Sequence, residues 1–155
     1  MQARILACVL VLSPILLADA AGAAEWESYA IAKSGASVEI PVSLFSDSAA
    51  LPAAETGQRF YTSDRRADLT VRAIPNPEND TPDAFLAKQR PPSEIVYRRV
   101  TPGFFVVSSI RNGKIWYDRC NRSDGYMNCI FINYPASEKR QWDGIITRIS
   151  HSLKP

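Results

Sequence analysis

Four short segments in the second half constrain the fold most. Residues 95–100, 104–110, 115–120 and 126–133 read as successive strands, separated only by turn chemistry. Pro102-Gly103 divides the first two and Asn112-Gly113 the next two. The stretch 121–125 divides the last two. Asn-Gly suits a type I′ turn, whose two central residues both need positive φ. Strands joined this tightly pair antiparallel, because a parallel neighbour needs a crossover of a dozen residues or more.

The first half adds weaker strand signals. Val38, Ile40, Val42 and Leu44 alternate and share one face, although Pro41 confines that strand to an edge or a bulge. Residues 46–58 are rich in Ser, Ala and Pro and read as a loop. Residues 59–62 and 67–74 flank Ser63-Asp-Arg-Arg66 as a hairpin, with Leu69, Val71 and Ala73 inward and Asp68, Thr70 and Arg72 toward water. Thr81-Pro82 looks like a helix cap followed by proline at the first helical position, so a short helix is expected over 82–90, stopped by Pro91-Pro92. Trp142, Ile145, Ile146, Ile149 and Leu153 repeat at helical spacing and make one apolar stripe. Gly144 inside that helix suggests close packing. The predicted class is α+β: an antiparallel sheet of six to seven strands, covered by a short mid-chain helix and a C-terminal amphipathic helix.

The first two dozen residues have the layout of a secretory leader. Arg4 supplies positive charge, 5–18 is apolar, and Ala18-Asp19-Ala20 and Ala21-Gly22-Ala23 are small-x-small sites. The apolar run is too short for a membrane span, which needs about 20 residues. A lipobox reading of Ile5-Leu6-Ala7-Cys8 fails because the apolar run continues past the cysteine. The expected organisation is therefore a leader at 1–24 and one α+β domain at 25–155, in the periplasm or outside the cell. Removing Cys8 leaves Cys120 and Cys129 as an even pair in an oxidising compartment, where a disulfide is expected. If the two lie opposite one another, a long hairpin loop is expected, with Tyr126 and Met127 in its tip.

A formal net charge of +2 argues against a dedicated nucleic-acid binder, whose affinity rests on a concentrated basic surface. The doublets Arg65-Arg66, Arg98-Arg99 and Lys139-Arg140 read as solvated faces. No metal or cofactor is expected, since two thiols and the lone His151 cannot make a four-ligand zinc site. His151 falls in the last turn of the terminal helix, away from the apolar stripe and poorly held for catalysis. Glu78, Asp80 and Asp83 surround the predicted helix start, where capping and the helix dipole attract acids. Asp118 and Asp124 are the remaining candidates for a carboxylate mechanism.

The feature left over is aromatic. Tyr97, Phe104, Phe105, Trp116, Tyr117 and Tyr126 are interleaved with Arg98, Arg99, Arg111 and Arg119. Side chains alternate along strands, so some of these face outward, and Trp116 and Tyr117 point apart. Exposed aromatics with arginine are the usual make-up of a binding surface, and Tyr97, Arg99, Trp116, Tyr117 and Arg119 are its candidates. The competing reading places them in two core layers beneath helices on both faces.

Gly35-Ala-Ser-Val-Glu-Ile-Pro-Val-Ser-Leu-Phe45, Gly57-Gln-Arg-Phe-Tyr-Thr-Ser-Asp64, and Trp116-Tyr-Asp-Arg-Cys120 with residues 129–135 resemble a group of small exported bacterial proteins of uncharacterised function. That resemblance implies an envelope or secreted location. The order of elements is similar to the PsbP/Mog1-like α/β/α sandwich, which implies an antiparallel sheet covered by helices and carries no functional motif. The leading expectation is an accessory domain, not an enzyme, binding an envelope or extracellular protein with no nucleic acid and no membrane span. A cofactor-free envelope hydrolase using Asp118 or Asp124, and a small-ligand carrier, are the alternatives.

Overall fold

The structure is a computed structural model that describes residues 24–91 and 94–154; the predicted leader, apart from Ala24, lies outside the described residues. The strands are β1 (Trp26–Ala30), β2 (Ser37–Pro41), β3 (Asp47–Ala50), β4 (Thr56–Tyr61), β5 (Asp68–Pro75), β6 (Ile95–Val100), β7 (Phe104–Arg111), β8 (Lys114–Ser123) and β9 (Tyr126–Pro135). The helices are α1 (Pro82–Lys88) and α2 (Lys139–Ser152). Seven strands form one antiparallel sheet in the order β3-β4-β5-β9-β8-β7-β6. It consists of two meanders, β3-β4-β5 and β6-β7-β8-β9, that meet where β5 pairs with β9. β1 and β2 form a separate antiparallel ribbon.

The sheet has two differently covered faces. On the first, Leu69, Val71, Ile130, Ile132 and Ile115 are buried against the α2 stripe of Trp142, Ile146, Ile149 and Leu153 and the inner residues of β2. The Ser152 hydroxyl accepts from the Glu39 amide at 2.8 Å, and the Lys154 amide donates to the Ser37 carbonyl at 2.9 Å, so β2 and α2 are locked together. On the second face, Phe85 and Leu86 of α1 cover Phe105, Val107, Met127 and the Cys120–Cys129 pair. The result is an α+β sandwich with unequal outer layers.

Local signals explain most elements. Thr81 caps α1, its hydroxyl accepting from the Ala84 amide at 3.3 Å, with Pro82 at the first turn. Lys88 pairs with Glu78 and with Asp80, and Arg98 pairs with Asp83, so the acids around this helix are structural. Asn112 and Gly113 both have positive φ, at 50° and 71°, and close the β7–β8 hairpin. Leu69, Val71 and Ala73 face inward on β5, as the alternation requires.

Four expectations need correction. Residues 46–58 are not all loop: Asp47–Ala50 forms the edge strand β3 and β4 begins at Thr56. The strand through Pro41 stops there, because proline cannot donate to a ladder and the amides of Leu44 and Phe45 turn back to the Pro41 carbonyl. Gly144 meets no neighbour: a Cβ there would find nothing within 4 Å. The Cys120–Cys129 hairpin has no long loop. Cys120 and Cys129 are directly opposed, with sulfurs 2.05 Å apart, and the ladder continues to Ser123↔Tyr126 before Asp124-Gly125 turns it.

Candidate functional site

Register decides which candidate residues meet. In β6, β7 and β8, Tyr97 pairs with Ser108 and Ser108 with Tyr117; Arg99 pairs with Val106 and Val106 with Arg119. Residues in one cross-strand row share a face, so these two rows lie side by side on the α2 face of the sheet. α2 covers this face only as far as β8. Ser150, buried on α2, sits with its hydroxyl 2.6 Å from the Tyr117 hydroxyl and accepts from Arg119 Nη1 at 3.2 Å. Beyond it, α2 does not cover the β6–β7 part of the face, where Val106 alone is buried.

That strip carries the three exposed large hydrophobics among the described residues, Val96 (62 %), Tyr97 (50 %) and Ile110 (46 %). A register shift between Ile95 and Tyr97 accounts for Val96. The bulge sends Ile95 to the α1 face opposite Ser109 and leaves Val96 beside Tyr97. A groove of about 400 Å³ runs between the strip and α2. Val96, Tyr97, Ile110, Tyr117, Ile146 and Thr147 are among its lining residues, and it opens to solvent. Small Ser108 between Tyr97 and Tyr117 forms its floor.

Half of the arginines among the described residues have a carboxylate partner, and the two in this row do not. Arg59, Arg65, Arg66, Arg72, Arg98 and Arg148 each pair with a carboxylate. Among the described residues, no such pair involves Arg99 or Arg119. Arg119 instead donates from Nε to Asn121 Oδ1 at 3.0 Å and from Nη1 to Ser150, and lies 4.5 Å from the centre of the Phe104 ring. Arg99 stacks on Phe104 as well, at 5.4 Å. Asn121 is itself fixed, donating to the Leu153 carbonyl at 2.8 Å. Burial lowers the Arg119 pKa from its ordinary value, and the like charge of Arg99 adds to this. Burial raises that of the Tyr117 phenol, which stays protonated.

Four of the five candidate residues, Tyr97, Arg99, Tyr117 and Arg119, are thus brought together. Trp116 is not. It lies on the α1 face between Ser109 and Asn133, with Arg111 4.6 Å above its ring. Val96, Phe104, Ile110, Asn121 and Ser150 complete the strip. Parity along the Asn112-Gly113 hairpin was signal enough for Phe104, Ile110 and Asn121; nothing in the sequence pointed to Ser150 or to the bulge at Val96.

The alternative chemistry is not assembled. Asp118 lies on the α1 face between Val107 and Phe131, and burial pushes its carboxyl up to about 6. Asp124 is in the hairpin turn, six residues further on, which is about 20 Å along a strand. Carboxylates that share a glycosidic bond stand within about 10 Å. His151 is exposed, as expected. Among the described residues, no cluster of His, Cys, Asp and Glu could hold a metal, and no helix is long and apolar enough to cross a membrane.

No protein-family model matches the chain, and no curated protein matches it by sequence. Its fold is similar to the solution structure of cyanobacterial PsbP (CyanoP) from Synechocystis sp. PCC 6803, at a TM-score of 0.63 and 12 % identity over 86 % of this chain and 94 % of that one. It is also similar to the Ran-binding protein Mog1p of Saccharomyces cerevisiae, at a TM-score of 0.50 and 10 % identity over 85 % of this chain and 96 % of that one. At these identities the likeness is one of fold: this is a PsbP/Mog1-like α+β sandwich.

Proposed function

We propose that this chain is an exported accessory domain, freed from a leader at residues 1–24, that binds an envelope or extracellular protein through the β6–β8 strip at the edge of α2. The observation that carries the reading is the convergence of Tyr97, Arg99, Tyr117 and Arg119 beside exposed Val96 and Ile110, where the cover of α2 ends at β8. The groups gathered there are phenols, guanidiniums and aliphatic side chains. They recognise a surface by stacking, hydrogen bonding and apolar burial. The open groove fits a surface contact better than an enclosed carrier cavity does. That a similar fold occurs in a Ran-binding protein is consistent with a binding role, and the pairing of Cys120 with Cys129 is consistent with an oxidising compartment.

Photo-crosslinking tests the surface. A benzophenone side chain replacing Ile110 should form adducts with a discrete partner in intact cells, and Tyr97→Ala should reduce them. The same group replacing exposed Ala87 on α1 should give none. Adducts at Ala87 but not at Ile110 would place the contact elsewhere and end the reading.

A further inference from the structure

We infer that the strip seats a carboxylate of an acidic, extended segment of its protein partner between Arg99 and Arg119. This rests on the proposed binding role and names the partner's chemistry. The two guanidiniums flank Val106 in one row and share the Phe104 ring, at 5.4 and 4.5 Å, with no carboxylate paired to either among the described residues. Arg119 is half-buried and held by Asn121 and Ser150, which occupy Nε and Nη1. A guanidinium fixed in this way has given up part of its hydration and its rotamer freedom before any ligand arrives. A charge-assisted bond to an incoming carboxylate then recovers the first without a new cost for the second.

The surroundings select an extended peptide over a small anion. Next to the arginine row lies the Tyr97–Ser108–Tyr117 row, and beyond it Ile110 with Val96. Same-face residues on one strand are two apart, about 7 Å, and alternate side chains of an extended peptide repeat at the same spacing. A segment lying along β7 therefore places an acid over the arginines, a small residue in the Ser108 trough, and an apolar residue against Val96 and Ile110. Free phosphate would engage only the first of these rows.

The test uses the disulfide-intact chain from residue 25 and a blocked peptide whose outward residues are threonine and whose inward residues are glutamate, alanine and leucine in that order. Nuclear magnetic resonance titration reads affinities into the millimolar range. The glutamate peptide should bind about tenfold more tightly than its glutamine counterpart. Arg119→Gln and, at a more exposed position, Arg99→Gln should each abolish that difference, while Arg59→Gln should preserve it. Equal affinities, no binding of either peptide, or saturation by inorganic phosphate with no peptide response would overturn the inference. Crosslinking at position 110 that survives both arginine changes would leave the strip as a docking surface and remove only the carboxylate seat.

Discussion

Gly57 shows how one position can be fixed by backbone alone. It sits in β4 with φ at +149°, and a Cβ built on it would lie 2.0 Å from the Val71 carbonyl oxygen. That atom belongs to β5, which is paired on both sides, and cannot yield. Gly57→Ala should lower the unfolding free energy by more than about 2 kcal/mol in urea titrations, the sum of a backbone clash and a disfavoured φ. Gly144 is the opposite case. It lies inside α2, exposed, and has open space where a Cβ would go. Gly144→Ala should stabilise by about 0.5–1 kcal/mol. Asp118 supplies a pH-dependent test. Its carboxyl holds a proton up to about pH 6 in the folded protein, whereas an unfolded aspartate releases it near pH 4. Between those values the folded state binds more protons, so stability falls as pH rises through the window, and the loss is complete above it. Asp118→Asn should therefore raise the unfolding free energy from urea titration at pH 7.5 by on the order of 2 kcal/mol, and change it little at pH 4.

At the scale of elements, the signals that could be read were local ones. Asn112-Gly113, Thr81-Pro82 and the Trp142–Leu153 stripe each carry their own geometry, and β7, β8, α1 and α2 follow from them. β3 escaped because Asp47-Ser-Ala-Ala50 has no apolar alternation; it is a strand only because β4 offers it a ladder. The Cys120–Cys129 hairpin was open to simple counting. Opposed residues must have a constant index sum, and that sum runs out at Ser123 and Tyr126, leaving two residues for the turn. The same counting separates Trp116 from Tyr117 and gathers Tyr117, Arg119 and Asn121 on one face. What it could not supply was the end of coverage by α2, which depends on where a distant helix packs. The opposed cysteines give a further prediction. Their bond closes a short loop and sits beneath Phe85 and Leu86. Cys120→Ser with Cys129→Ser should cost about 2–3 kcal/mol in the chain-entropy account, measured against the oxidised parent.

For the molecule as a whole, the unequal coverage of the two faces is the feature that links fold to proposed role. A seven-stranded sheet presents two broad faces, and among the described residues one long helix is available to cover them. α2 and the β1–β2 ribbon cover one face from β4 to β8, while the seven residues of α1 cover part of the other. On the uncovered remainder of the α1 face, Asp68 pairs with Arg59 and accepts from Asn133, Lys114 donates to Asn133, and Arg111 lies over Trp116. The remainder on the α2 face differs in displaying Val96, Tyr97 and Ile110, the exposed large hydrophobics among the described residues. This contrast can be measured without knowing the partner. Tyr97→Ser with Ile110→Ser should leave the unfolding free energy within about 0.5 kcal/mol of the parent, because half-exposed side chains contribute little to folding. The same double change should remove the crosslinks formed from a benzophenone at Val96. A large loss of stability instead would show that the strip serves the core of this protein and not a partner.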